Sequence, residues 1–222
     1  MDSRLRVAID SSLAWYDALC ALHGVACRIE DGVWSVDGTP PPLHSAVKTL
    51  EPGIASERVA ELASSRGGVA DSFGDLSLAD HGFELLFAAR WIHRIANDQR
   101  VREPAPGWTL VTSPAGLAAW TAHHDTTEVL LPGLLDRSSF QVLAKVVGGE
   151  LTAGAVLHAG TGVVSISNVW SAHPEDVWPE LVYNATVLWP GRDLVGYERD
   201  ADLEAALAAG FVDVGPQLVW VS

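Results

Sequence analysis

The sequence predicts an α/β protein with a mixed, mostly antiparallel sheet flanked by helices. Three observations lead there. Helical and strand periodicities alternate along the whole chain. Gln141–Val147, Leu151–His158 and Val163–Trp170 are consecutive β-prone runs joined by Gly148-Gly149 and Gly160-Thr161-Gly162, which reads as an antiparallel meander. The chain then closes helix, strand, helix, strand, and a helix between strands implies a parallel return.

Composition narrows the class. The 222 residues are 48% hydrophobic and carry 28 acidic against 14 basic side chains. That length fits one large domain or two small ones and buries a core without staples. A net charge of −14 argues against nucleic acid, which needs clustered cations, and against an anionic membrane. A small-molecule substrate is the expected partner, and the oligomeric state is left open. Cys20 and Cys27 form no CxxC and read as reduced thiols. With no cationic leader and no apolar run near about 18 residues, the expectation is a cytoplasmic protein.

Leu5, Ile9, Leu13, Tyr16 and Cys20 recur at helical spacing up to Gly24. Two short strands follow around Asp31-Gly32, a pair suited to a tight hairpin. His44–Leu50 alternates as a strand, Ser56 caps a helix to about Ser64, and Val69–Phe73 is a short strand. LLFAARWI, ending at Ile92, is the next strand. The polar, proline-containing stretch 97–106 reads as a linker between an N-terminal half, 1–96, and a second half, 107–222. Trp108–Thr112 is a strand, and Ser113-Pro114 opens a helix to about His124. Asp125-Thr126-Thr127-Glu128 starts another helix that Pro132 interrupts. After the meander come a helix over Glu175–Leu188, a strand over Leu194–Glu198, a helix over Asp202–Ala209, and the last strands over Phe211–Val221.

LVGYERDADLEAALAAGFVDVGPQLVWV resembles the end of the GCN5-related N-acetyltransferase (GNAT) fold, with a Gly-Phe pair, here Gly210-Phe211, closing the last helix. GWTLVTSP and the meander resemble its first strands, so the resemblance spans about 107–222. Val69–Phe73, Gly82-Phe83 and Trp91-Ile92 echo the C-terminal pattern, and a degenerate GNAT-like first half is weighed against coincidence. The resemblance implies acyl transfer from an acyl-CoA to an amine, with Val163–Trp170 and Leu194–Glu198 splayed around the donor. Val169 and Trp170 are the positions whose backbone would meet the pantetheine arm. The family's glycine-rich pyrophosphate turn has no counterpart in Val169–Asp176, which holds Pro174, Glu175 and Asp176 but no glycine. The family's common tyrosine acid, four residues before the Gly-Phe glycine, is replaced by Ala206.

Several residues are candidates for chemistry. Tyr197 and Glu198 end a parallel-type strand, where ligands gather; Glu198 is the candidate base and Tyr197 the candidate acid. Adjacent strand residues point to opposite faces, so both meet one cleft only if the strand has ended or bulged. His124 is a second acid–base candidate, weighed against a simple helix-end cation. Ser167, Asn168, Asp71 and Trp170 are substrate-binding candidates. No metal is expected, because no spacing such as HExxH occurs. Trp170, Trp178 and Trp189 either wall a pocket or fill the groove left by the missing turn. The leading function is an N-acyltransferase acting on a small amine with an acyl-CoA or atypical donor; the alternative is an inactive GNAT-like binding or regulatory module.

Overall fold

A computed structural model of the protein describes residues 1–64, 67–96, 103–160 and 162–222. Helix α1 (Ser3–Leu22) starts where the Asp2 carboxylate accepts the Arg4 amide at 2.9 Å, and it buries Leu5, Ile9, Tyr16, Leu19 and Cys20. Strands β1 (Ala26–Glu30) and β2 (Val33–Asp37) form the expected hairpin. Asp31 and Gly32 have φ of 45° and 78°, the left-handed pair that such a turn requires. Strand β3 (Val47–Thr49), helix α2 (Ser56–Ala63), strand β4 (Val69–Asp71) and strand β5 (Glu84–Arg94) follow. Ser56 does not cap α2. Ala55 takes the cap position, and Ser56 Oγ instead accepts the Ser77 amide at 2.9 Å.

Of the expected linker, 97–102 lies outside the described residues; 103–106 lead into β6 (Trp108–Leu110). Helix α3 (Pro114–Ala122) is capped by Ser113 as the sequence predicts. The helix expected from Asp125 does not form. Asp125 turns to φ 50°, and after Pro132 there is only a 3-10 turn over Pro132–Asp136. Then come β7 (Phe140–Val147), β8 (Glu150–Ala159), β9 (Val163–Ser171), α4 (Pro174–Leu188), β10 (Asp193–Glu198), α5 (Asp200–Ala208) and β11 (Val212–Val221). The expected last strands are this single β11. Gly210, at φ 92°, ends α5, and Phe211 packs edge-on against Trp178 at 5.5 Å.

The eleven strands of the described residues lie in one sheet, ordered β1-β2-β3-β4-β11-β5-β10-β9-β8-β7-β6. Among the described residues, only β3–β4 and β9–β10 pair in parallel. The order runs inward from both ends, and at the centre the closing strands of the two halves are exchanged. β11 lies beside β4, and β5 lies beside β10. β5 and β11 pair antiparallel along their lengths, with Arg90 opposite Pro216 and a bulge near each end of the ladder. One apolar core gathers α1, α2 and α3. A second lies among α4, α5 and strands β5 and β7 to β10.

Candidate functional site

Strands β9 and β10 pair only over Val163–Asp193, Val164–Leu194 and Ser165–Val195, and then part. Gly196 permits the last close approach, since a Cβ there would sit 2.8 Å from the Ile166 carbonyl oxygen. Beyond it β9 bulges. Ser167 pairs with Val156 and Trp170 with Gly154, leaving Asn168 and Val169 opposite Ala155 alone. Asn168 absorbs the bulge at φ 50°, a conformation asparagine tolerates better than most side chains. A cavity of about 470 Å³ opens at this parting of the strands.

Glu198, Tyr197, His124, Ser167, Asn168 and Val169 all line it. Tyr197 faces the α1 side with Val195, edge-on to Trp91 at 5.3 Å, while Leu194 packs with α4 and α5. Glu198 is the last residue of β10 and meets the same cavity because the space threads between the parted strands. Side-chain alternation along β10 therefore does not separate the pair. Burial, reinforced by Asp202, pushes the Glu198 carboxyl well above the usual carboxylate range, against the opposing pull of Arg199. Burial raises the Tyr197 phenol as well, so it stays protonated. Burial lowers His124, partly offset by Asp125 and Asp202, which leaves a neutral imidazole at pH 7. The Ser167 hydroxyl donates to the Val156 carbonyl at 3.4 Å and accepts from the Asn168 amide at 3.2 Å.

Two candidates stand elsewhere. Trp170 does not line the cavity; it stacks on His123 at 5.1 Å and meets Trp120 edge-on at 5.8 Å. Asp71 is fully buried outside the cavity, where its carboxylate accepts the amides of Phe73, Gly74 and Leu76 at 2.9–3.2 Å. Trp178 is fully buried and donates to Asp202 at 3.0 Å, while Trp189 packs on the α4–α5 core. These tryptophans fill space there.

The first half supplies a wall that the sequence did not reveal. Ser12, Trp15 and Tyr16 of α1, with Leu43, His44 and Trp91, close one side of the cavity, and Thr126 adds a buried hydroxyl. His44 is not a base. Its Nε2 accepts from Trp15 Nε1 at 3.2 Å, and its Nδ1 lies 2.9 Å from the Pro42 carbonyl, so Nδ1 carries the proton and donates. Burial lowers its pKa in keeping with that neutral form.

The splayed strands and bulge fit a thioester arm, but the start of α4 does not fit a pyrophosphate. Pro174 lacks an amide, the Asp176 amide is used by the His173 carbonyl at 3.2 Å, and Glu175 and Asp176 add negative charge. No cluster of His, Cys, Asp and Glu suited to a metal occurs among the described residues. Nor, among them, is any helix long and apolar enough to cross a membrane.

No protein-family model matches the chain, and no curated protein matches its sequence. Solved structures do. A GCN5-related N-acetyltransferase from Kribbella flavida is 13% identical, with a TM-score of 0.57 over 96% of this chain and 95% of its own. A functionally unknown conserved protein from Staphylococcus epidermidis is 13% identical, with a TM-score of 0.65 over 89% and 94%. A GCN5-related N-acetyltransferase-like protein from Streptococcus suis is 10% identical, with a TM-score of 0.52 over 99% and 98%. The architecture of this chain is a GNAT-like α/β fold.

Proposed function

We propose that the protein is an acyltransferase that moves an acyl group to a small amine held between β9 and β10. The observation that carries this reading is the convergence of Glu198, Tyr197 and His124 with the Asn168 bulge in one cavity. An acyl-CoA supplies the activated acyl group when bound, and the bulged backbone of Asn168 and Val169 is where its arm would be oriented. The amine nitrogen attacks the acyl carbon, and the bond to the leaving group breaks. Glu198, in its ionised fraction, accepts the proton lost from nitrogen; the Tyr197 hydroxyl gives a proton to the leaving group. Burial raises the Glu198 pKa, which makes its carboxylate a stronger base than an exposed one. The acidic, proline-bearing start of α4 supports a donor that relies little on a nucleotide end. That same feature favours a second reading, a binding module without transferase activity.

We also infer that residues 1–96 and 107–222 are two copies of one unit, of which the second keeps an open cleft between its parallel strands. The mirrored strand order supports this, since β11 closes on β4 as β5 closes on β10. At the place in the first half matching the β9–β10 parting, the Ser72 amide donates to Thr49 Oγ1 at 2.9 Å and bridges the ends of β3 and β4.

The test is a panel of acyl thioesters and small amines, read as thiol release and product mass. Glu198→Gln should stay folded and lose about a hundredfold in rate. Undiminished activity would move the base to His124, and undiminished activity in His124→Ala as well would reject the site.

A further inference from the structure

The α1 side of the cavity offers no negative charge to a ligand. Its titratable neighbours are His44, locked neutral by Trp15 and Pro42; His124, held neutral by burial; and the protonated phenols of Tyr16 and Tyr197. Glu198 stands at the gap, where burial favours its uncharged form. Asp200, Asp202 and Arg199 line the cavity where α5 begins, next to that gap. Behind the α1-side wall lies Lys48, whose burial brings its pKa down to about 7, so that its amine is mostly protonated at pH 6.5. The Lys48 ammonium sits 4.9 Å from the Trp91 ring centre and 5.3 Å from that of Tyr16, and the residue is 1% exposed. Its carboxylate neighbour, Asp71, is turned toward three backbone amides and does not face the cavity.

The remaining lining is aromatic and hydroxylic. Trp15, Tyr16 and Trp91 are flat walls, while Ser12 and Thr126 bring hydroxyls. Thr126 Oγ1 is buried, with the residue 3% exposed, and has no partner among the described residues. A buried polar atom left unpaired in a cavity wall is suited to a ligand's hydrogen bond. An ammonium entering here would lose its water and find a cation behind the wall in place of a counter-charge.

We propose that the α1 side of the cavity binds an uncharged aromatic amine and rejects alkylammonium ions. The proposal rests on the acyl-acceptor reading of the site and names the acceptor class. Such an amine attacks without first shedding an ammonium proton, so the neutral surroundings that exclude alkylammonium ions suit it.

The test is calorimetric titration of the protein, without donor, with aniline and with benzylamine at pH 6.5, where aniline is neutral and benzylamine is cationic. Aniline should bind at least tenfold more tightly. In Lys48→Met the preference should shrink at least threefold, through stronger benzylamine binding. Equal or tighter binding of benzylamine by the unmodified protein would overturn the proposal, as would heat from neither amine. An unchanged ratio in Lys48→Met would overturn its electrostatic basis. Because no acyl donor is present, failure here is distinct from failure of the thiol-release assay.

Discussion

Replacing Lys48 by Met should make the protein more stable. Burial drops the Lys48 pKa from 10.5 to about 7. Over that interval the unfolded chain holds one more proton than the folded one, so stability rises with pH from about 7 to 10.5. At about 1.4 kcal/mol per pH unit the interval amounts to roughly 5 kcal/mol, which the folded protein forgoes at pH 7 and below. The contacts of the ammonium with Trp91 and Tyr16 return about 1 kcal/mol each. A net gain of about 3 kcal/mol therefore remains for an apolar side chain of similar length at pH 6. Above pH 7 the advantage should shrink by about 1.4 kcal/mol per pH unit. Urea denaturation of both proteins at pH 6, 7.5 and 9 measures this directly. If Lys48→Met is less stable than the parent at every pH, or the difference does not change with pH, the reasoning fails. A lysine that costs stability at this position has a reason to be there, and the wall of the cavity is the nearest one.

Acetyl-CoA should bind weakly, with a Kd no tighter than about 0.1 mM, because Pro174, Glu175 and Asp176 take the place of phosphate donors; calorimetry giving micromolar affinity would restore the ordinary donor. Gly154→Ala should lower stability by about 1–3 kcal/mol in thermal denaturation, since its Cβ would collide with the indoles of Trp120 and Trp170; an unchanged Tm would mean those rings move freely. In Trp15→Phe the imidazole of His44 loses the N–H that favours its neutral form, so its pKa should rise in an NMR titration. An unchanged or lower pKa would reject the hydrogen bond from Trp15 to His44.

The meander and the parallel β9–β10 pair were legible because local chemistry specifies them: glycine turns between β-prone runs, then a helix long enough for a crossover. Tyr197 and Glu198 came to the site because they end β10, His124 because it follows α3, and Ser167 and Asn168 because they lie where β9 bulges away from β10. The α1 wall was not legible. Trp15 and Trp91 recur in apolar patterns, and periodicity gives a cavity wall and a packed core the same signature. His44 lies far along the chain from β10, and only the central strand exchange brings the first half over the cleft. Local rules also misread particular residues. Ser56 hydrogen-bonds across to the Ser77 amide rather than to its own helix, and Asp125 adopts a left-handed φ where a cap was expected. Asp71 does end its strand, but three nearby amides hold its carboxylate away from any ligand.

The exchange of β5 and β11 sets the order in which the molecule can be finished during synthesis. When β5 emerges from the ribosome, neither of its eventual neighbours, β10 and β11, has been made. Its eleven residues, with Leu85 and Leu86 still exposed in the finished protein, must wait as an unpaired strand for roughly a hundred more. The last ten residues of strand then join β4 to β5 in one step and complete the sheet across its middle. Such long-range pairing is slow and leaves apolar edges open meanwhile. A stop codon shortly before Val212 would therefore remove more than a terminal strand: it would leave two partial sheets with no strand to join β4 to β5.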